Sequence, residues 1–361
     1  MSFIPAEYYQ TIYLIIVLIL SIHIFRQYYH FSTIRLGNHS DNPFGLLLML
    51  LFISFIGTRP ISDVFADMGA YRGLYNRWSG PFEFRWDTDN KIWDNLNYWL
   101  ASIQFDPIYY YILIALIYFG CIYWACWKMF PNDKVAAFLV YLGAFSTFSY
   151  GTNGLKAGCA AAIFLVALAY RENLKICIPL ALVSLGFHHS MQLPLAALAI
   201  VIIYHKPKYY FYIWGICLIL AALHITYFQN LFASITDEHG AGYLVAEGDE
   251  IVANTGFRLD FIVYSAMPVW MGWHTIHKIK NCSNMYLTLL CLYLLTNSVW
   301  MLCVYASFTN RIAYLSWLMY PFVLIYPLLK ESFPGNRYKF FVKVTSIHLG
   351  FTLFMHFVYY S

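Results

Sequence analysis

The sequence predicts an all-α membrane protein with about twelve transmembrane helices. Three observations lead to this prediction: the composition, the long apolar runs, and the distribution of basic residues between those runs. Hydrophobic residues make up 61% of the 361-residue chain and charged residues only 11%, against roughly 25% charged residues in a soluble domain. A bilayer accommodates this much apolar surface on the outside of the helices, so we expect the chain to cross a membrane repeatedly.

The apolar runs predict the helices in order. Several are shorter than the roughly 20 residues that a helix needs to cross the bilayer, so we expect either helical polar flanks or broken helices. No internal repeat is evident, and residues 1–361 are predicted to form a single membrane domain. The runs are Tyr9–Phe25, Pro43–Gly57, Pro107–Trp127, Val135–Tyr150, Leu155–Tyr170, Ile176–Phe187, Met191–Tyr204, Tyr209–Phe228, Phe261–Trp273, Tyr286–Tyr305, Ile312–Leu329 and Phe340–Val358.

The basic residues support this segmentation. Alternate connections between the runs carry 14 of the 22 basic residues but only four of the 18 acidic residues, which is typical of cytoplasmic loops. Both termini are therefore predicted to face out. The same alternation places two long loops, residues 58–106 and 229–260, on the outer face, where we expect short amphipathic helices. A break near His188 preserves the alternation, whereas one long helix over residues 176–204 would put the later lysine pairs outside.

Four basic residues on the predicted outer face lie at or near helix ends. A cation costs about 2.5–3.5 kcal/mol at the centre of an inserted helix, and less near the boundary. Such residues commonly face a cavity, where they pair with acids or bind anions. Snorkelling to the interface or a local ion pair is the alternative for each of them. The four are Arg59, Lys156, Arg258 and Arg311.

The first outer loop opens with a predicted helix, because Pro60 suits a first helical turn. Four side chains then recur every fourth residue and are predicted to line one face of that helix, toward a cleft. A self-contained pair of Arg59 with Asp63 is the alternative. The four are Arg59, Asp63, Asp67 and Tyr71.

Tryptophans and carboxylates are interspersed in the rest of this loop. Trp78 and Trp86 lie close to Asp87 and Asp89 in the sequence. Aromatic faces beside carboxylates are what sugar rings need for stacking and for hydroxyl hydrogen bonds. Anchoring of aromatic rings at the membrane interface produces the same composition and remains the alternative.

Further polar residues mark predicted helix ends. Lys156 lies at the start of an apolar helix, where a cation beside the helix N-terminus favours phosphate. His188, at a predicted reversal in apolar sequence, could accept a proton near neutral pH; a structural histidine with satisfied hydrogen bonds is the alternative. Asp260 follows Arg258 at the end of the second outer loop, and Arg311 opens a helix.

These residues carry a pattern that resembles the EpsG/Wzy-type polymerases of bacterial exopolysaccharide and O-antigen. The similarity covers about residues 44–330 as short motifs, whose order and shared predicted outer-face placement make the set specific. Where the family usually has Arg-Gln, this chain has Lys156-Ala157, which keeps the charge but loses the bidentate guanidinium fork. The matching motifs are F-I-G-T-R-P at 55–60, D-M-G-A-Y at 67–71, N-G-L-K-A-G-C-A-A-A-I at 153–163, L-G-F-H-H-S at 185–190, F-R-L-D at 257–260 and N-R-I-A-Y-L-S at 310–316.

The resemblance implies a helix arrangement like that of C-type glycosyltransferases and a polymerase in the bacterial inner membrane. Its substrates would be oligosaccharide repeat units on undecaprenyl diphosphate, joined at the periplasmic or outer face. A chain-length-regulating membrane protein is a possible partner besides the lipid bilayer, and neither a nucleic acid nor a cofactor is expected. No outward carboxylate pattern typical of a metal site is present, so we predict metal-independent transfer.

The resemblance also suggests a role for each candidate residue. Fixed cations would stabilise the charge that develops on the diphosphate leaving group: Arg59, Arg258 and Arg311, with Lys156 as a fourth. His188 is the first candidate for the base that takes the acceptor proton, and Asp67 is the second. The candidates for sugar binding are Asp63, Tyr71, Trp78, Trp86 and Asp260.

Three other functions are compatible with the sequence. An O-antigen ligase shares the donor but transfers to the lipid A core. A membrane O-acyltransferase would also carry a histidine in the membrane, yet it has no need of several outward cations. A lipid-linked glycan flippase is the non-enzymatic alternative, for which repeated halves and charges along a central path are expected.

Overall fold

A computed structural model describes residues 4–30, 43–65, 68–69, 71–73, 80–229, 256–306 and 309–360. Every regular element in these ranges is helical. The predicted site residues Asp67 and Trp78 lie outside the described residues, as does the second predicted outer loop from 230 to 255.

Fifteen helices of the described chain are numbered here in chain order. They are α1 (Tyr9–His30), α2 (Pro43–Gly57), α3 (Lys91–Ser102), α4 (Pro107–Met129), α5 (Lys134–Leu142), α6 (Thr147–Thr152), α7 (Leu155–Ala169), α8 (Leu174–Phe187), α9 (Gln192–Ile203), α10 (Pro207–Ala222), α11 (Leu259–Lys278), α12 (Asn284–Leu302), α13 (Thr309–Trp317), α14 (Tyr320–Lys330) and α15 (Arg337–Phe354). The chain forms two compact units, one of residues 1–191 and 336–361 and one of residues 192–335.

Five helical stretches of the described chain are long and apolar enough to cross a membrane: Ala6–His30, Pro107–Met129, Asn284–Leu302, Thr309–Lys330 and Arg337–Tyr359. Shorter apolar helices accompany them at Pro43–Gly57, Leu155–Ala169, Leu174–Phe187, His189–Ile203 and Pro207–Ala222. The chain is thus an all-α, multi-pass membrane protein, as the composition predicts. The count of about twelve transmembrane helices stays a prediction.

Two of the predicted helices are broken in the middle. The run Val135–Tyr150 forms α5 and α6, and the hydroxyl of Thr147 at the start of α6 donates to the carbonyl of Tyr141, 2.7 Å away. The run Ile312–Leu329 forms α13 and α14. Pro321 in the first turn of α14 lacks an N–H to bond the carbonyl of Trp317, so the helix ladder cannot run through this point unbroken.

The predicted break near His188 is present. Helix α8 ends at Phe187, and His188 is extended with φ −153° and ψ 123°. A single 3₁₀ turn, His189–Met191, then leads into α9. The segment 176–204 is therefore two helices rather than one. The reversal of the chain across the membrane at this point, which the charge alternation requires, stays a prediction.

Helix α7 is the most deeply buried helix of the first unit, and small residues make this possible. Ala160, Ala161 and Ala162 are fully buried, which lets neighbouring helices approach closely. At Gly154 and Gly158 an added Cβ would collide with the ring and the backbone carbonyl of Tyr150, respectively. The G-T-N-G-L-K-A-G stretch thus brings α6 tightly against the start of α7, which fixes the backbone that carries Lys156.

The second unit has buried polar contacts between its helices. The indole N–H of Trp214 donates to the side-chain oxygen of Asn297 at 2.7 Å, and the amide of Asn297 donates to Ser316 at 2.9 Å. The indole of Trp317 likewise donates to the hydroxyl of Ser265 at 2.7 Å. In a hydrocarbon environment such groups must find partners within the protein, so these bonds hold α10, α11, α12 and α13 in register.

Candidate functional site

The predicted helix from Pro60 is not observed, which corrects the expectation that Arg59, Asp63 and Tyr71 line one helical face. Residues 60–62 have no regular structure and residues 63–65 form a turn. Residues 68–69 and 71–73, which include Tyr71, are helical. The side chain of Arg59 points inward and is 4% exposed, whereas Asp63 is exposed. Its guanidinium Nη1 donates to the carbonyl of Ile56 at 2.8 Å. The end of α2 is thereby capped, and the chain leaves it in a different direction.

Arg59 sits in a closely fitted environment. Its guanidinium carbon lies 5.3 Å from the ring centre of Phe65 and 5.2 Å from that of Tyr111, distances typical of cation–π contacts. A second guanidinium nitrogen, Nη2, donates to the carbonyl of Thr152 at 3.0 Å. The remaining donor, Nε, is buried and makes no hydrogen bond within the described chain.

The charge of Arg59 has no carboxylate partner among the described residues. Burial lowers the pKa of its guanidinium to about 10, so the group is still protonated at neutral pH. Within the described chain, carbonyls and aromatic rings compensate a buried cation less well than a carboxylate does. Such a group is suited to receive an anion from outside the chain.

Lys156 provides a second cation in the same unit of the chain. The carbonyl of Thr152, which Arg59 contacts, ends α6, and Lys156 is the second residue of α7. No side chain caps the start of α7, whose N-cap is Gly154, although the backbone N–H of Leu155 donates to the carbonyl of Asn153 at 2.8 Å. Lys156 has no ion pair in the part of the chain that the structure describes. Arg59 thus contacts the end of α6, and Lys156 lies in the first turn of the helix that follows.

Helix α3, from the predicted outer loop 58–106, docks against the end of α8. Trp93 is 2% exposed and packs edge-to-face on Phe187 at 5.8 Å and on Tyr71 at 5.7 Å. Ile92 occupies the space over Gly186, where an added Cβ would come within 2.6 Å of it. The aromatic side chain and the missing Cβ together fix α3 beside the L-G-F-H-H-S segment.

Asn90 links this loop to the histidine turn. Its side-chain oxygen accepts a hydrogen bond from the backbone N–H of His189 at 3.0 Å, and Asn90 is buried. In that turn the rings of His188 and His189 stack at 4.8 Å. The Nδ1 atom of His188 accepts from the backbone N–H of Ser190 at 3.1 Å. The predicted base is therefore held rigidly, and one ring nitrogen is already occupied.

Asp94 lies one helical turn after Asn90. The sequence marks it only as one of several carboxylates among the tryptophans of this loop, with no catalytic role. Partial burial raises the pKa of its carboxyl group, while the charges of Lys156 and His189 act in the opposite direction. Lys156 and His189 are 62 and 95 residues further along the chain, so the sequence carries no local signal of this proximity. The only hint is its position among other carboxylates in a tryptophan-rich loop.

The segment before α3 forms an ordered, exposed strip. The side-chain amide of Asn95 clamps the backbone of Arg85, accepting from its N–H at 2.7 Å and donating to its carbonyl at 2.8 Å. Trp86 is 74% exposed and its ring lies 4.6 Å from that of Phe84. An open depression of about 530 Å³ is lined by Gly80, Pro81, Glu83, Phe84, Arg85, Trp86 and Asp87.

The other predicted site residues belong to the second unit. Arg258 and Asp260 form an ion pair, with Nε donating to Oδ1 at 2.9 Å, and the guanidinium lies over the ring of Phe261 at 4.2 Å. For Arg258 the local ion pair, one of the two alternatives, is therefore present. Arg311 is exposed on α13. That these residues share a site with Arg59 stays a prediction.

The described helices, five of which are long and apolar enough to cross a membrane, define an all-helical, multi-pass membrane protein. The chain belongs to the EpsG family, whose model matches residues 42–361. Family membership indicates a membrane protein of the polysaccharide-polymerase type, in agreement with the motif resemblance. No curated protein and no solved structure matches the chain.

Replacing Asn90 with alanine should loosen the histidine turn. The backbone N–H of His189 would lose its buried acceptor, which is worth about 0.5–1.5 kcal/mol. We expect amide hydrogen exchange at residues 188–191 to accelerate by up to roughly tenfold. Ser102→Ala, at the far end of α3, removes only a bond to its own helix and should leave that exchange unchanged. Equal protection in Asn90→Ala would show that Asn90 does not hold the turn.

Proposed function

We propose that this protein is a glycan polymerase that joins oligosaccharide repeat units carried on undecaprenyl diphosphate. The reaction takes place at the outer face of the bacterial inner membrane, where the loop 58–106 is predicted to lie. The growing chain moves from its lipid carrier to the non-reducing sugar of a fresh unit. EpsG family membership supports the class of reaction, and the residues of the first unit suggest how it proceeds.

The observation that carries this proposal is the buried charge of Arg59. Within the described chain its guanidinium contacts two carbonyls and two aromatic rings but no carboxylate. Lys156 follows at the first turn of α7, an N-terminus whose amides also favour anions. A diphosphate, with two adjacent anionic groups, matches this pair of cations better than a neutral or singly charged substrate does.

This arrangement suits departure of a diphosphate. Negative charge builds up on the leaving group as the anomeric bond breaks, and donors fixed in advance stabilise it without reorganisation. Arg59 and Lys156 would supply that charge from the first unit. Arg258 and Arg311 are proposed as further diphosphate contacts from the second unit; for Arg258 this requires its bond to Asp260 to open or to be shared.

Replacing Arg59 tests the proposal directly. In membranes supplied with purified lipid-linked repeat units, Arg59→Ala should slow polymer formation by roughly 10²–10³-fold, as the loss of one charge-stabilising group does elsewhere. Arg59→Lys keeps the charge but loses the planar fork, so we expect an intermediate rate and a folded protein. Lys91→Ala, which removes an exposed cation of the same loop, is the control. Full-length glycan ladders from both folded Arg59 variants would remove this residue from the mechanism.

Polymerisation should persist when divalent cations are removed. Cationic side chains take the place that a metal ion has in many phosphate-handling enzymes, so chelation with EDTA should leave the rate within about twofold of the untreated rate. The measurement is polymer length and yield in EDTA-treated membranes, with and without added Mg²⁺. Product that disappears in EDTA and returns with the divalent ion would overturn metal independence.

Trp86 is the most exposed aromatic candidate for a sugar contact, and Glu83 and Asp87 flank it in the same depression. If its ring stacks on the glycan, Trp86→Phe should keep long polymers and Trp86→Leu should shorten them. If it only anchors the loop in the interface, an apolar leucine should serve as well as phenylalanine. The modal polymer length on a gel separates the two, and equal lengths for the Leu and Phe variants would contradict a stacking role.

A further inference from the structure

We propose that Asp94 on helix α3 is the group that takes the proton from the attacking sugar hydroxyl. The inference rests on the proposed polymerase function and names a catalytic residue for it. It differs from the sequence-based candidates, His188 and Asp67, and it arises from three elements that meet at this carboxylate: α3, the start of α7, and the turn after α8.

One oxygen of the Asp94 carboxylate accepts a hydrogen bond from the described chain, and the other accepts none from it. Its Oδ2 accepts the backbone N–H of Asn90 at 3.3 Å. This is the only hydrogen bond to the carboxylate from the described chain, so Oδ1 is left for an incoming hydroxyl. Because Trp93 is buried against Phe187 and Asn90 is bonded to the histidine turn, the helix that carries Asp94 has little freedom to move. A proton acceptor needs this kind of fixed placement.

The charges around Asp94 come from each neighbouring element. Lys156 at the start of α7 and His189 in the turn after α8 act to lower the pKa of its carboxyl group, and Asp89 of its own loop acts to raise it. Partial burial has the largest effect and raises the pKa of the carboxyl group, which makes the ionised form a stronger base than an exposed aspartate. Lys156 lies close enough to influence this titration, so the base and a proposed diphosphate contact are neighbours.

His188 is less suited to the same task in this arrangement. Its Nδ1 accepts the backbone N–H of Ser190, so a neutral ring carries its proton on Nε2. Neither nitrogen of that tautomer then offers a lone pair to a hydroxyl proton. His188 instead orders the turn that presents His189 and, through Asn90, orients α3.

The proposed transfer conserves atoms, electrons and protons with Asp94, Arg59 and Lys156 as the protein groups that take part. The acceptor hydroxyl oxygen attacks the anomeric carbon of the donor, and a new C–O bond forms as the bond to the diphosphate oxygen breaks. The bonding pair leaves with the diphosphate, whose charge is compensated by Arg59 and Lys156. The hydroxyl proton passes to Oδ1 of Asp94 and is then released to water. No oxidant, reductant or further reactant is needed.

The experiment measures transfer by purified enzyme in nanodiscs, with lipid-linked repeat units, as a function of pH. Asp94→Asn keeps the size of the side chain and, through its oxygen, an acceptor for the N–H of Asn90, so the fold should be retained. We expect its maximal rate to fall by about 10²–10⁴-fold. Wild-type activity should decline on the acid side around a pKa above the usual value of about 3.9, because the base must be ionised. The Asn variant should lack this decline.

Two further variants test whether the loss of rate depends on the carboxylate at position 94. Asp106→Asn changes another carboxylate of the same predicted loop, one that caps α4 through the N–H of Ile108; asparagine also caps helices well, so this variant should act like wild type. Asp94→Ala should be slow, and added formate, a small carboxylate that fits the vacated space, should restore part of its rate.

The outcomes separate this inference from the function on which it rests. If wild-type enzyme makes no polymer from lipid-linked units, the proposed function fails. If wild type polymerises and folded Asp94→Asn does so at a similar rate, or keeps the same acid-side decline, Asp94 is not the base although the function stands. Loss of rate in Asp94→Asn together with formate rescue of Asp94→Ala would establish its role.

Discussion

The proposed diphosphate site depends on the buried charge of Arg59. Arg59 ends α2, turns its guanidinium into the protein, and bonds to Ile56 and Thr152 rather than to an acid of the described chain. These bonds tie the start of the loop 58–106 to the end of α6. They also place a cation beside the N-terminus of α7, in a medium where an uncompensated charge is costly. An anionic ligand that binds beside Arg59 meets a positive charge that the fold already holds in position.

Helix α3 adds the second constraint. A loop between two apolar helices would ordinarily lie on the surface, yet Trp93, Asn90 and Asn95 are buried. Trp93 anchors α3 on α8, Asn90 bonds to the histidine turn, and Asn95 clamps the strip that carries Trp86. The short helix α3 thus brings the carboxylate of Asp94 and the exposed strip that carries Trp86 to the unit that contains Arg59 and Lys156.

Much of the architecture could be predicted because membrane insertion imposes simple rules. Apolar runs indicated the positions of the main helices, and the helix break expected near His188 is present. Local periodicity failed at Arg59 and Asp63, because residues 60–65 are not helical and Arg59 is buried where Asp63 is exposed. The proximity of Asp94 to Lys156 and His189 could not be predicted, since it results from packing between segments distant in sequence. The ion pair of Arg258 with Asp260 was one of two alternatives that the sequence left open.

The most direct test of the central claim is the binding of a soluble short-chain prenyl diphosphate to the purified protein in nanodiscs. The account predicts that the diphosphate binds at least about tenfold more tightly than the matching monophosphate, equivalent to about 1.4 kcal/mol. It also predicts that this preference disappears when Arg59 is replaced by alanine and is reduced when it is replaced by lysine, which keeps the charge but loses the planar fork. Equal affinity for the diphosphate and the monophosphate, or a preference that survives without Arg59, would contradict a diphosphate pocket built around this buried guanidinium.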